Sequence, residues 1–224
     1  MIVIKRILLS AVVCMTSGIQ SVYATTKQGW QVVKVDENHQ ITTYSKQEAN
    51  KRFRSFRAEG LLSAPLEAAV RQQLDVEHLK KWYLNADESR LLKRVSDTEL
   101  YYYIKLKTPF GIPARDMAVK VNIEPYSPAK GVLVLRYQAV PDFIPATPDV
   151  VRITTYQMVT RLTPRGDQKT YEETEGYAEP GGSLPAWLMN SVQQQTPYHN
   201  LLAKQEGVKN YINNTEPFLF KVRE

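Results

Sequence analysis

Few side chains in this chain are placed to do covalent chemistry. His39, His78 and His199 are the three histidines, and no two have the spacing of metal ligands. Cys14 is the single cysteine and lies in an N-terminal apolar segment. Downstream of that segment there is no thiol nucleophile, no disulfide and no thiolate metal site. There is no Gly-x-Ser-x-Gly elbow and no glycine loop able to cradle a phosphate. Glu172, Glu173 and Glu175 lie close together on one stretch. An acid–base pair is conceivable there, and a solvated acidic strand edge is the favoured reading, because carboxylates are rarely buried without a partner.

Two other groups have chemistry suited to binding. Arg115 shares parity with Met117, Val119 and Val121 and is expected to point inward. An inward arginine must be paired. It meets either an acidic residue on a neighbouring strand, the favoured reading, or the carboxylate or phosphate of a bound molecule. Tyr102, Tyr137 and Tyr156 fall on faces assigned as inward, where a ring with a polar tip serves a ligand pocket or an ordinary core equally well.

The elements that position these residues follow from periodicity. Trp30–Val35 and Gln40–Ser45 read as a hairpin about the polar turn 36–39, and Arg52–Gly60 as a third strand. Ser63 is a candidate cap and Pro65 suits a first helical turn. Leu66, Val70 and Leu74 recur at helical spacing, so residues 65–74 are predicted as an amphipathic helix. A second short helix is expected over 75–82. From residue 90 the period becomes two. Leu100, Tyr102, Ile104 and Leu106 share one face, as do Met117, Val119, Val121 and Ile123, and Leu133, Leu135 and Tyr137. Residues 151–162 and 168–177 supply two more strands. Pro113, Pro125, Pro128, Pro141, Pro145 and Pro148 are assigned to the connections. The 141–148 loop, carrying Phe143 and Ile144, reads as an apolar lid or a plain strand connection. After Gly181-Gly182 a helical stripe of Leu184, Leu188 and Val192 begins and extends to about Gln205, kinked or split at Pro197, with Gly207 as its stop.

This outline predicts an α+β fold, with a curved antiparallel sheet wrapped on a long C-terminal helix and two short helices after the first strands. Sheet and helix meet at their edges and separate in the middle, which leaves room for an apolar ligand.

The ends and the charge bound the setting. Lys5 and Arg6, an apolar run over 7–15 and Val22-Tyr23-Ala24 read as a cleavable signal peptide, residues 1–24. The run is too short and too interrupted for a spanning helix, which needs roughly 20 apolar residues. Residues 25–224 are then one domain, secreted or periplasmic. Without Lys5 and Arg6 the chain carries 27 Lys and Arg against 23 Asp and Glu, a net charge of +4. Nucleic acid is not an expected partner at that balance. The basic stretch Lys51–Arg57 leaves a transient contact with an anionic membrane surface open.

The order of motifs resembles the START-related lipid-transfer domain, a helix-grip fold, over nearly the whole mature chain. Trp30, Ile41–Tyr44, Phe53–Gly60 leading into Ala64-Pro65, Trp82, Leu100-Tyr101-Tyr102 and Pro113-Ala114-Arg115-Asp116 all carry the likeness. Most specific is Glu179-Pro180-Gly181-Gly182-Ser183-Leu184-Pro185-Ala186-Trp187-Leu188-Met189-Asn190. It is similar to the family's Asp-Pro-Gly-Gly-x-Ile-Pro-x-Trp-Leu-x-Asn, with Glu for Asp and Leu for Ile. The resemblance implies a deep apolar pocket closed by the C-terminal helix, one bound lipid or hydrophobic small molecule, no cofactor, no metal and a monomer. On it, Trp82, Tyr102, Ile104, Arg115, Met117, Tyr137, Tyr156, Trp187 and Leu188 are the expected ligand-binding residues. Aromatase/cyclase enzymes and hydrolases share the scaffold, so an enzyme or a small-molecule sensor remain alternatives.

Overall fold

A computed structural model describes residues 29–108, 111–184, 186–218, 220 and 222; at residues 186–188 and 191 only the backbone is described. The expected signal peptide lies outside the described residues.

The chain opens with β1 (Gln31–Asp36), β2 (Ile41–Lys46) and β3 (Ser55–Leu62), followed by α1 (Leu66–Leu74) and a 3-10 turn over Val76–Lys81. Then come β4 (Ala86–Ser96), β5 (Glu99–Leu106), β6 (Arg115–Ser127), β7 (Val132–Ala139), β8 (Val151–Arg152), β9 (Thr155–Pro164) and β10 (Thr170–Glu179). A single long helix, α2 (Ala186–Gly207), follows. The strands form one sheet in the order β1-β2-β3-β10-β9-β7-β6-β5-β4, antiparallel along this path, with β8 added in parallel to the start of β6. The last strand, β10, inserts between β3 and β9 and so joins the N-terminal strands to the rest of the sheet.

Alternation drives the packing. In β5 and β6 the inward residues Leu100, Ile104, Met117 and Val119 have essentially no exposure and join Leu133, Leu135 and Leu162 in the main core. Leu66, Ala69 and Val70 bring α1 onto the same core. At roughly 25 cal/mol per Å² of apolar surface removed from water, this burial is the main stabilising contribution. Helix α2 rests on β2 and β3. It approaches so closely that a Cβ at Gly60 would stand 3.0 Å from Leu201 and from the Gln40 carbonyl. A larger residue there would push the helix off the sheet.

Five sequence expectations are corrected. Ser63 caps nothing: α1 begins at Leu66 with Pro65 in the capping position, and no side chain caps it. Residues 76–81 form a 3-10 segment, interrupted at His78, whose backbone is not helical. Pro125 lies within β6, tolerated because it is exposed and sits where the pairing with β7 slips between Glu124 and Ser127. The expected strand 151–162 is two strands, β8 and β9, broken at Ile153 and Thr154. Pro197 does not split α2, which runs through it to Gly207.

Candidate functional site: a cavity beneath the C-terminal helix

A cavity of about 180 Å³ lies between the inner face of the sheet and α2. The sheet contributes Ala58 from β3, Met117 from β6, Met158 from β9 and Ala178 from β10. Helix α2 contributes Met189, Val192, Pro197 and Leu201, with Leu184 just ahead of it. Trp82, Tyr83 and Leu84 form one side, and Thr108 and Ile112 another. Asn85 and Lys107 are exposed and mark the rim. From Met189 to Lys204 the lining follows fifteen residue steps of helix, about 22 Å.

Besides Lys107 at the rim, two charged sites interrupt this mostly apolar wall, at opposite ends along α2, with the uncharged polar residues Gln193, Thr196 and Asn200 between them. At the C-terminal end Lys204 Nζ meets Glu172 Oε1 at 2.6 Å, with both side chains buried. Glu172 also accepts hydrogen bonds from Thr174 (3.1 Å) and Gln73 (3.1 Å). Gln73 in turn accepts one from Tyr137 at 3.2 Å, and Thr174 shares one with Thr160 at 2.8 Å. The Lys204 ammonium sits 4.8 Å above the Trp82 ring, within cation–π range. A buried charge pair holds only when its remaining hydrogen-bonding capacity is met, and here three side chains meet it for Glu172.

At the other end stands Arg115, 4% exposed. Its Nη1 donates to the Pro113 carbonyl at 2.5 Å, and its Nε has no partner. Burial lowers its pKa. Its Nη2 faces Gly182, where a Cβ would lie 3.7 Å away. Gly181 and Gly182 both have left-handed backbones, φ +68° and +63°. Glycine is therefore needed to turn the chain from β10 into α2.

Asp116, the next residue, points to the opposite face. It binds Arg152 at 2.7 and 3.1 Å and accepts from Thr147 at 2.8 Å. Arg152 also donates to the carbonyls of Pro141, Ile144 and Pro145, so it ties down the 141–148 loop. Phe143 of that loop stacks on Tyr101 at 4.3 Å. The loop is thus a strand connection on the outer face, away from the cavity.

Of the residues expected to bind a ligand, Trp82, Arg115, Met117 and Tyr156 line the cavity. Tyr102, Ile104 and Tyr137 do not. They lie in the main core, and Tyr137 is spent on Gln73 of α1. Burial pushes the Tyr102, Tyr137 and Tyr156 phenols upward, so all three are neutral. The side chains of Trp187 and Leu188 lie outside the described residues. The favoured salt bridge for Arg115 is absent among the described residues, because the adjacent carboxylate serves Arg152 instead.

The acidic cluster divides. Glu173 and Glu175 bind Arg161 on the outer face, and Glu173 also binds Arg57 at 2.7 Å. Glu172 is the buried one, against the expectation of a solvated edge. The alternation of Thr170, Glu172 and Thr174 with Tyr171, Glu173 and Glu175 carried that signal; Lys204, its partner in α2, carried none. His39 and His78 pair with Asp36 and Asp75 in exposed turns, and His199 packs edge-on against Tyr198.

Comparison with known proteins agrees with this geometry. The sequence profile of the START domain matches residues 14–202. The crystal structure of a STAR-related lipid transfer protein from Xanthomonas axonopodis superposes with a TM-score of 0.74 at 30% identity, covering 81% of this chain and 99% of that one. Human STARD10 (TM-score 0.71, 19% identity, 83% of this chain and 75% of that one) shares the fold. An uncharacterized protein of Pseudomonas aeruginosa is 25% identical over 174 residues, 78% of this chain and 84% of its own length. The family profile and the shared fold together show that this chain belongs to the START domain family.

Proposed function

We propose that this protein takes one lipid or comparable apolar molecule into the cavity beneath α2 and transfers or holds it in the periplasm, with α2 acting as the gate. The observation that carries the reading is the mismatch between the wall and its volume. The lining is mostly apolar and follows about 22 Å of helix, yet 180 Å³ is below the roughly 300–1,000 Å³ of ordinary small-molecule sites. A lipid enters only if a wall moves, and α2 is the wall with a built-in weak point. Pro197 has no N–H, so the Gln193 carbonyl lacks its helical donor. Beyond Pro197 the helix is pinned by Tyr198 to Asp36, by Asn200 to the Leu84 N–H, and by Gln205 to the carbonyls of His39 and Leu61. Before Pro197 the ties among the described residues include Gln193 to the Ala178 carbonyl and Arg52 to the Leu184 carbonyl just ahead of the helix. The N-terminal half is the half that lifts.

Native mass spectrometry of the mature protein from its host's periplasm, followed by organic extraction, tests this. A stoichiometric lipid adduct on a chain beginning near Thr25 is expected. A clean apo mass, unchanged after incubation with membrane extract, would overturn it and favour an enzyme or a sensor on the same scaffold.

A further inference from the structure

We infer that Arg115 is the recognition group for an anionic head, so that the ligand is an acidic amphiphile bearing a carboxylate or a phosphate. This rests on the cavity being a ligand site, and it goes further by naming the ligand's chemistry. Arg115 is a buried cation lining an apolar cavity with no carboxylate paired to it among the described residues. An arginine keeps its charge in a protein, and a buried charge without a counter-charge is costly. The fold supplies one carbonyl, from Pro113, and leaves the Nε without a partner. The planar guanidinium fork matches a carboxylate or phosphate better than any neutral group.

The neighbourhood is arranged to leave this cation unneutralised. Asp116 is adjacent in sequence, but strand parity sends it to the outer face, where Arg152 and Thr147 occupy it. Gly182 presents no side chain to the guanidinium, and the space beside Nη2 stays open. The two other cations at the cavity are different: Lys107, at the rim, is exposed and pairs with Asp87 at 3.1 Å. Lys204 is neutralised by Glu172, and an anion placed there would face that carboxylate. The anion therefore belongs at the Arg115 end, near the rim, and the tail runs along α2 past Met117, Met158 and Val192.

The test is titration of the delipidated mature chain with hexadecanoic acid, hexadecyl phosphate and hexadecanol, read by isothermal calorimetry. Both acids are expected to bind at least tenfold tighter than the alcohol, and the tighter of the two identifies carboxylate or phosphate as the natural head. Arg115→Gln should bring the acids down to the affinity of the alcohol, and Arg115→Lys should retain part of the preference. Equal binding of all three by the wild-type protein would overturn the role of Arg115 while leaving the cavity a lipid site. No binding of any would overturn both. If Arg115→Gln does not fold, the ratio of acid to alcohol in the wild type and in Arg115→Lys still decides.

Discussion

Lys204 of α2 and Glu172 of β10 form a buried ion pair 2.6 Å long, the one salt bridge between α2 and the sheet among the described residues. Removing one partner strands the other in an apolar surrounding. Lys204→Met or Glu172→Gln is expected to lower stability by about 3–5 kcal/mol. The double replacement Glu172→Leu with Lys204→Met should recover most of that loss, because Thr174 keeps Thr160 and Gln73 keeps Tyr137. Urea denaturation midpoints of the three variants check this. A double variant whose loss equals the sum of the two single losses would mean that the pair is not coupled.

A second tie fixes the same helix to the first hairpin and makes it acid-sensitive. Tyr198 donates to Asp36 at 2.6 Å, and that bond, followed by those from the His39 side chain and backbone, holds the Asp36 carboxyl well below its usual range. A depressed carboxylate stabilises the folded state above its unfolded pKa of about 3.9, and the contribution is lost as pH falls below that value. Tyr198→Phe should therefore be less stable than wild type from pH 5 to 7, with the gap narrowing below about pH 4. Chemical denaturation at a series of pH values measures it. A gap independent of pH would show that the bond does not persist in solution.

Period-two alternation made the strands legible, and the Gly-Gly turn located the start of α2. Parity also assigned the inner face correctly for Arg115, Met117 and Tyr156. What parity does not carry is position along that face. Tyr102, Ile104 and Tyr137 face inward too, but they lie within the main core, where α1 also packs and Gln73 receives the Tyr137 hydroxyl. Glu172 escaped for a related reason. A carboxylate on a strand reads as exposed unless its partner is known, and Lys204 is 32 residues away on another element. The break between β8 and β9 has no periodic signature either, since it arises where Val151 pairs in parallel with Arg115.

The turn into α2 offers a backbone test. Gly181 has φ +68°, and a Cβ there would stand 3.1 Å from both the Arg152 carbonyl and Val151 Cγ1. Gly131 has φ +66° but open space around it. Alanine at Gly131 should cost about 1–2 kcal/mol from conformation alone. Alanine at Gly181 should cost measurably more, because β8 cannot retreat without disturbing Arg152 and Asp116. Equal losses in thermal or urea unfolding would mean that the contact with β8 is slack.

Pro197 is where the gating reading is most exposed to experiment. Replacing it with alanine restores an N–H to the Gln193 carbonyl, and one intrahelical hydrogen bond contributes about 1 kcal/mol net. That bond stabilises the seated helix and not a state in which its N-terminal half has lifted about this residue. Pro197→Ala should thus raise stability. It should also slow both uptake and release of a bound amphiphile, roughly fivefold for a shift of 1 kcal/mol, while leaving the equilibrium affinity nearly unchanged. Stopped-flow exchange with a fluorescent fatty acid reads both rates. Faster unfolding resistance with unaltered exchange would place the pivot elsewhere, most directly at Gly181 and Gly182, where the same exchange assay on Gly182→Ala would find it.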